Sequence, residues 1–138
     1  MVNTASVAGI AALPGLGIYT ATKYAVVGIS ETLRLEGARF ELGCSVLCPG
    51  AVNTNIMTSE RNRPTDLGQS KPFVPPTGNV PDLLRSGRDP LWVGRRVRAA
   101  VENDEAYIFT HPNTRAMFDA RAAGIRAGFD AADRYGDG

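Results

Sequence analysis

The chain has 138 residues, 43% of them hydrophobic and 21% charged, and a formal net charge of +1. That length suits one domain and that composition an ordinary globular protein, with no electrostatic reason to expect nucleic acid or an anionic membrane as partner. No run reaches the roughly 18 apolar residues of a membrane span, and Met1-Val2-Asn3-Thr4-Ala5-Ser6 lacks the basic and apolar regions of a signal peptide.

Val2 to Ser6 reads as a short strand entering a loop marked by Gly9, Pro14, Gly15 and Gly17. From Ile18 to Ala38 there is no proline, and Ala21, Ala25, Val26, Ile29 and Leu33 recur at helical spacing. Cys44-Ser45-Val46-Leu47-Cys48, stopped by Pro49-Gly50, suits a strand buried on both faces, as in a parallel sheet. Its two cysteines are four residues apart, too far at about 3.3 Å per residue to bond to each other. They read as small core residues in a reducing compartment, so cytoplasm is the expected location.

Asn53 to Asp89 changes character. Pro64, Pro72, Pro75, Pro76 and Pro81 oppose any long element, leaving room for a short helix near Thr54 to Arg61. Asp89-Pro90 then resembles a helix N-cap, and Leu91, Val93, Val97, Ala100 and Val101 form the buried stripe behind it, ending near Asn103. Arg85, Arg88, Arg95, Arg96 and Arg98, interspersed with acids, read as a solvated face. Trp92 is expected to pack on the sheet. Ala106 to Thr110 reads as a third strand stopped by His111-Pro112, and Asn113 to about Phe129 as a last helix with a frayed Gly136–Gly138 tail. Alternating strands and helices imply an α/β protein with parallel strands and crossover helices.

Tyr19 and Lys23 lie one helical turn apart, so both project from one face. A phenol is ordinarily a poor base at neutral pH, and an ammonium beside it favours the ionised form. Ser6, thirteen residues before Tyr19, ends the first strand, where open parallel sheets place ligands. A hydroxyl there can hold an oxygen while a phenol moves its proton. By itself such a pair is more often an ordinary surface contact; the surrounding strings change the odds.

Asn3-Thr4-Ala5-Ser6-Val7-Ala8-Gly9, Tyr19-Thr20-Ala21-Thr22-Lys23-Tyr24-Ala25-Val26-Val27-Gly28 and Cys48-Pro49-Gly50-Ala51-Val52-Asn53-Thr54 resemble, in order and spacing, three signatures of short-chain dehydrogenases/reductases. The resemblance implies that Ser6 polarises a carbonyl or hydroxyl, that Tyr19 is the general acid/base, and that Lys23 supports Tyr19 and holds the nicotinamide ribose. Pro49 and Gly50 would line the nicotinamide face, with the Val52 backbone and the Thr54 hydroxyl on the carboxamide or a nearby phosphate. The cofactor would be NAD or NADP and the substrate a small alcohol or ketone. The Ile18–Ala38 helix resembles the element through which members pair into homo-oligomers.

The sequence lacks the family's GxxxGxG turn, its residue separating NAD from NADP, and the asparagine of its catalytic tetrad, a role Asn3 cannot take. The expectation is therefore the carboxy-terminal half of a Rossmann-like three-layer parallel sheet, with about three strands and three to four helices. Residues 1–54 would carry the motifs, 55–89 a variable substrate flap, and 90–138 a terminal helix-strand-helix. Met57 and Phe73 could touch substrate or simply pack, and His111 reads as a strand-end residue without catalytic or metal role. An alternative is a non-enzymatic module that pairs with a full-length homologue.

Overall fold

The computed structural model describes residues 1–68 and 79–135. Pro72, Phe73, Pro75, Pro76 and the Gly136–Gly138 tail lie outside those residues. Strands β1 (Val2–Thr4), β2 (Ser45–Cys48) and β3 (Tyr107–Phe109) form one parallel sheet in that spatial order. Helix α1 (Gly17–Gly37) connects β1 to β2; α2 (Val80–Arg85) and α3 (Pro90–Glu102) lie between β2 and β3; α4 (Arg115–Tyr135) follows.

All four residues of β2 are buried, as its nearly continuous apolar run implies for a central parallel strand. Alternation then sorts its side chains. Val46 and Cys48 join Ala5, Ile10 and Val27 of α1 in one cluster, while Leu47 joins Val93, Ala100 and Ile108 in another. Helices α1 and α3 therefore cover opposite faces, which gives the expected three layers. Cys44 and Cys48 are free and buried, as expected.

Several boundaries differ from expectation. The first strand stops at Thr4, because Ser6 Oγ accepts from Ala8 N–H at 3.2 Å and caps a 3₁₀ turn, Val7–Gly9. This local bond draws the chain out of the ladder after Ala5 N–H has bonded Leu47. The Thr54–Arg61 region forms 3₁₀ turns over Asn55–Asn62, broken at Thr58. Helix α2 was not anticipated from its prolines, yet Pro81 sits in its first turn, where a missing N–H costs nothing, and Asn79 caps Asp82 N–H. Helix α4 runs on to Tyr135, with Asn113 and Thr114 in a preceding 3₁₀ turn, and none of its residues is buried.

Asp89 caps α3 as expected, accepting from Trp92 N–H at 2.9 Å. Trp92 packs partly against the core, with the Arg88 guanidinium 4.7 Å from its ring. Arg85 and Arg98 pair with Asp82 and Glu102 on the expected solvated surface. Arg96 departs from it: both guanidinium nitrogens clasp Glu105, at 3.0 and 2.5 Å, with the side chains only 28% and 35% exposed. Arg34 likewise spans Asp104 and the Cys44 carbonyl, tying the end of α1 to the turn after α3.

These two clasps make stability sensitive to acid. Hydrogen bonds from Arg34 and Arg96 hold the Asp104 and Glu105 carboxyls below their usual range. Such carboxylates stabilise the fold fully above their unfolded values of about 4, and that contribution is lost as pH falls through the lowered folded values. The urea midpoint should fall below about pH 4, and Asp104→Asn with Glu105→Gln should flatten that decline. An acid limb identical in the double variant would assign the loss elsewhere.

Candidate functional site

The loop after β1 is locked to helix α1 by a close approach. A Cβ added to Gly9 would lie 2.8 Å from the Lys23 carbonyl oxygen and 2.8 Å from Val27 Cγ2, so only glycine allows the two backbones to meet there. Ser6, three residues before this contact, is buried to 8% exposure. Lys23 Nζ donates to the carbonyl of Thr4, the last residue of β1, at 3.3 Å, and lies 5.6 Å from the Tyr19 ring centroid. Tyr19 itself is 42% exposed. A hydroxyl, an ammonium and a solvent-facing phenol thus gather around the carboxyl end of β1.

The turn after β2 adjoins them. Val7 N–H donates to the Pro49 carbonyl at 2.9 Å, which joins the Ser6 loop to Pro49-Gly50. Further along, Arg88 N–H donates to the Ala51 carbonyl and Asn53 N–H to the Arg88 carbonyl, both at 2.9 Å, so Val52 is bridged to Arg88. Thr54 is exposed and extended at the head of the 3₁₀ turns, its side chain making no cap bond. The structure therefore ties the Ser6 loop both to Pro49-Gly50 and to the helix that carries Tyr19 and Lys23, pairs Val52 with Arg88, and leaves Thr54 exposed. Met57 is 46% exposed on the same connection.

Other polar groups nearby have structural partners. Asn3 Nδ2 donates to Ser30 Oγ at 3.0 Å, beneath the sheet end. Burial pushes the Cys48 thiol up to about 11, so it is not a thiolate nucleophile at neutral pH. Burial and a hydrogen bond to Glu31 push the Tyr107 phenol up to about 12, which keeps it protonated at neutral pH.

His111 stands at a strand end, as read from the sequence, and its ring reaches the turn after β2. It lies two residues after β3, and its Nδ1 accepts from Gly50 N–H at 3.2 Å. Burial first, then the Arg88 charge, lowers its pKa, against a smaller opposing effect of the Ala51 carbonyl. Its place at a strand's carboxyl end was the available signal.

Known proteins share this sequence pattern and fold. The family model for short chain dehydrogenases matches residues 1–65. A short-chain dehydrogenase/reductase of Burkholderia phymatum, solved in complex with NAD, is 36% identical and superposes with a TM-score of 0.79 over 92% of this chain. The chain belongs to the short-chain dehydrogenase/reductase family. Its curated relatives include the CLA biosynthesis dehydrogenase/reductase of Lactiplantibacillus plantarum, 28% identical over 91% of this chain. Another solved member, from Sphingobium yanoikuyae in complex with NADPH, is 25% identical with a TM-score of 0.55, covering 94% of this chain and 44% of its own. The chain spans about half the length of the relatives it matches: 47% of the Lactiplantibacillus protein and 48% of the Burkholderia one.

Proposed function

We propose that this chain is the proton-transfer half of an NAD(P)-dependent oxidoreductase that interconverts a small alcohol and ketone. The observation that carries this reading is the Lys23 ammonium, bonded to the end of β1, beside the exposed Tyr19 ring and the Ser6 loop. Ser6 Oγ already accepts from Ala8 N–H, which leaves its own proton to donate to a substrate oxygen. Tyr19 passes a proton between its phenol oxygen and that oxygen, and the Lys23 ammonium stabilises the phenolate while the proton is away. NAD or NADP, when bound, gives or takes the hydride. The Pro49–Gly50 turn and Lys23 fit a nicotinamide and its ribose. The sequence holds no glycine-rich turn for the pyrophosphate.

A joined enzyme tests this. The chain by itself should show no turnover with either dinucleotide, because hydride transfer needs the nicotinamide fixed near the reacting carbon. Fused to the half of the NAD-bound Burkholderia phymatum relative that it does not cover, it should oxidise a secondary alcohol with reduction of NAD or NADP. Turnover by the chain alone would overturn the expected dependence on the other half. A soluble fusion that binds dinucleotide yet stays inert toward a broad panel of alcohols and ketones would overturn the enzymatic reading.

A second reading, an interaction module, draws on the surface of α1. Ile18, Ile29 and Leu35 are 87%, 58% and 80% exposed, and β1 has no partner on its outer edge among the described residues. Exposed apolar side chains and a free strand edge both favour association. The purified chain should therefore self-associate in sedimentation experiments, and Ile29→Lys with Leu35→Glu should reduce this. A monomer at high concentration would leave α1 without a partner to explain.

A further inference from the structure

The peptide unit between Pro49 and Gly50 is gripped at both polar ends. Its carbonyl accepts from Val7 N–H at 2.9 Å, on the Ser6 side, and its N–H donates to His111 Nδ1 at 3.2 Å, on the β3 side. The imidazole also lies against Gly50 Cα: an added Cβ would stand 2.9 Å from His111 Cγ and 3.0 Å from Nδ1. Rotation of this peptide plane would break both bonds.

His111 is itself held in place. Thr110, fully buried, has its Oγ1 2.7 Å from Nδ1. The His111 carbonyl accepts from Thr114 N–H at 3.0 Å and from Thr114 Oγ1 at 2.7 Å. Because Gly50 N–H needs a lone pair, Nδ1 carries no proton, so the ring proton is on Nε2 and the Thr110 hydroxyl is the donor. Burial and the facing Arg88 guanidinium favour this neutral state, while the Ala51 carbonyl opposes them.

We propose that His111 is a positioning residue whose neutral imidazole fixes the Pro49–Gly50 peptide plane, and with it the wall on which the nicotinamide ring is to lie. The proposal rests on the dinucleotide reading above. It has a built-in sign. As pH falls through the lowered His111 pKa, Nδ1 gains a proton and can no longer accept from Gly50, so the turn is released on the acid side only.

Two substitutions separate this role from packing. His111→Asn can place an acceptor oxygen near the position of Nδ1 without a titrating group; His111→Leu fills space with no acceptor. In the isotope-labelled chain, the Gly50 amide resonance should follow pH with a midpoint below about 6.5, and that dependence should vanish in both variants. In the joined enzyme, His111→Leu should raise the dinucleotide KM on the order of tenfold with kcat within about twofold, the signature of lost uniform binding, and His111→Asn should restore it. A Gly50 resonance indifferent to pH in the unaltered chain overturns the proposal, as does an Asn variant as impaired as the Leu one. An unchanged dinucleotide KM in the Leu variant overturns it too, provided Tyr19→Phe silences the same enzyme. A Tyr19→Phe enzyme at full rate instead overturns the functional reading beneath it.

Discussion

Tyr19→Phe in the joined enzyme should lower kcat by on the order of 10² to 10⁴, the usual worth of a general acid/base. The structure makes this a clean substitution. The ring is 42% exposed, so little packing depends on the hydroxyl, and phenylalanine keeps the ring that Lys23 approaches at 5.6 Å. Stability and dinucleotide KM should stay close to those of the parent. Lys23→Ala behaves differently, because Lys23 also bonds the Thr4 carbonyl and stands where the nicotinamide ribose is proposed. It should lower kcat and raise the dinucleotide KM together. Steady-state rates at several pH values decide the matter: a Tyr19→Phe enzyme within about tenfold of the parent has another proton donor.

Ile108→Ala should cost about 2–5 kcal/mol, a large share of the roughly 5–15 kcal/mol that holds a small domain folded. Ile108 is fully buried and sits opposite Leu47 in the ladder, packed with Val93 and Ala100 between the sheet and α3. Neighbours fixed in β2 and α3 cannot collapse into the space it leaves, so both the lost burial and the cavity count. Leu91, 73% exposed on the same α3, provides the contrast: Leu91→Ala should cost well under about 1 kcal/mol. Urea midpoints of the two variants check the pair. Equal losses would mean that the face of α3 turned to the sheet is misassigned.

The architecture was legible because each main element carries a periodic signal. Cys44 to Cys48 is a short, nearly continuous apolar run between a glycine and a proline, and its last four residues are the central strand. Asp89-Pro90 announces α3, and its cap bond is present. What was not legible depends on contacts far apart in the chain or on competition between local bonds. The first strand looked two residues longer because nothing in the run itself says that Ser6 Oγ will turn back to Ala8. Proline in the first turn of α2 looked like a breaker. In the candidate site, helical spacing put Tyr19 and Lys23 on one face, and only the three motifs singled them out together with Ser6. The contact between His111 and Gly50 was not legible, because the two are sixty-one positions apart and only the parallel sheet brings the ends of β2 and β3 together.

Helix α4 gives the molecule an uneven resistance to heat. It has 21 residues, none buried, with Phe129 and Tyr135 70% and 91% exposed and Gly124 and Gly128 inside it. A cation–π approach of Arg121 to the Tyr24 ring at 5.1 Å links it to α1. Helices of this length supported mainly by their own hydrogen bonds are marginal in water, and each internal glycine weakens them by about 1 kcal/mol. Arg115–Tyr135 should therefore unravel first on warming, before the sheet around Val46 and Ile108. Helical content should decline gradually before the cooperative collapse of the core, and proteases should reach the far end of α4 well before they reach Tyr19 and Lys23.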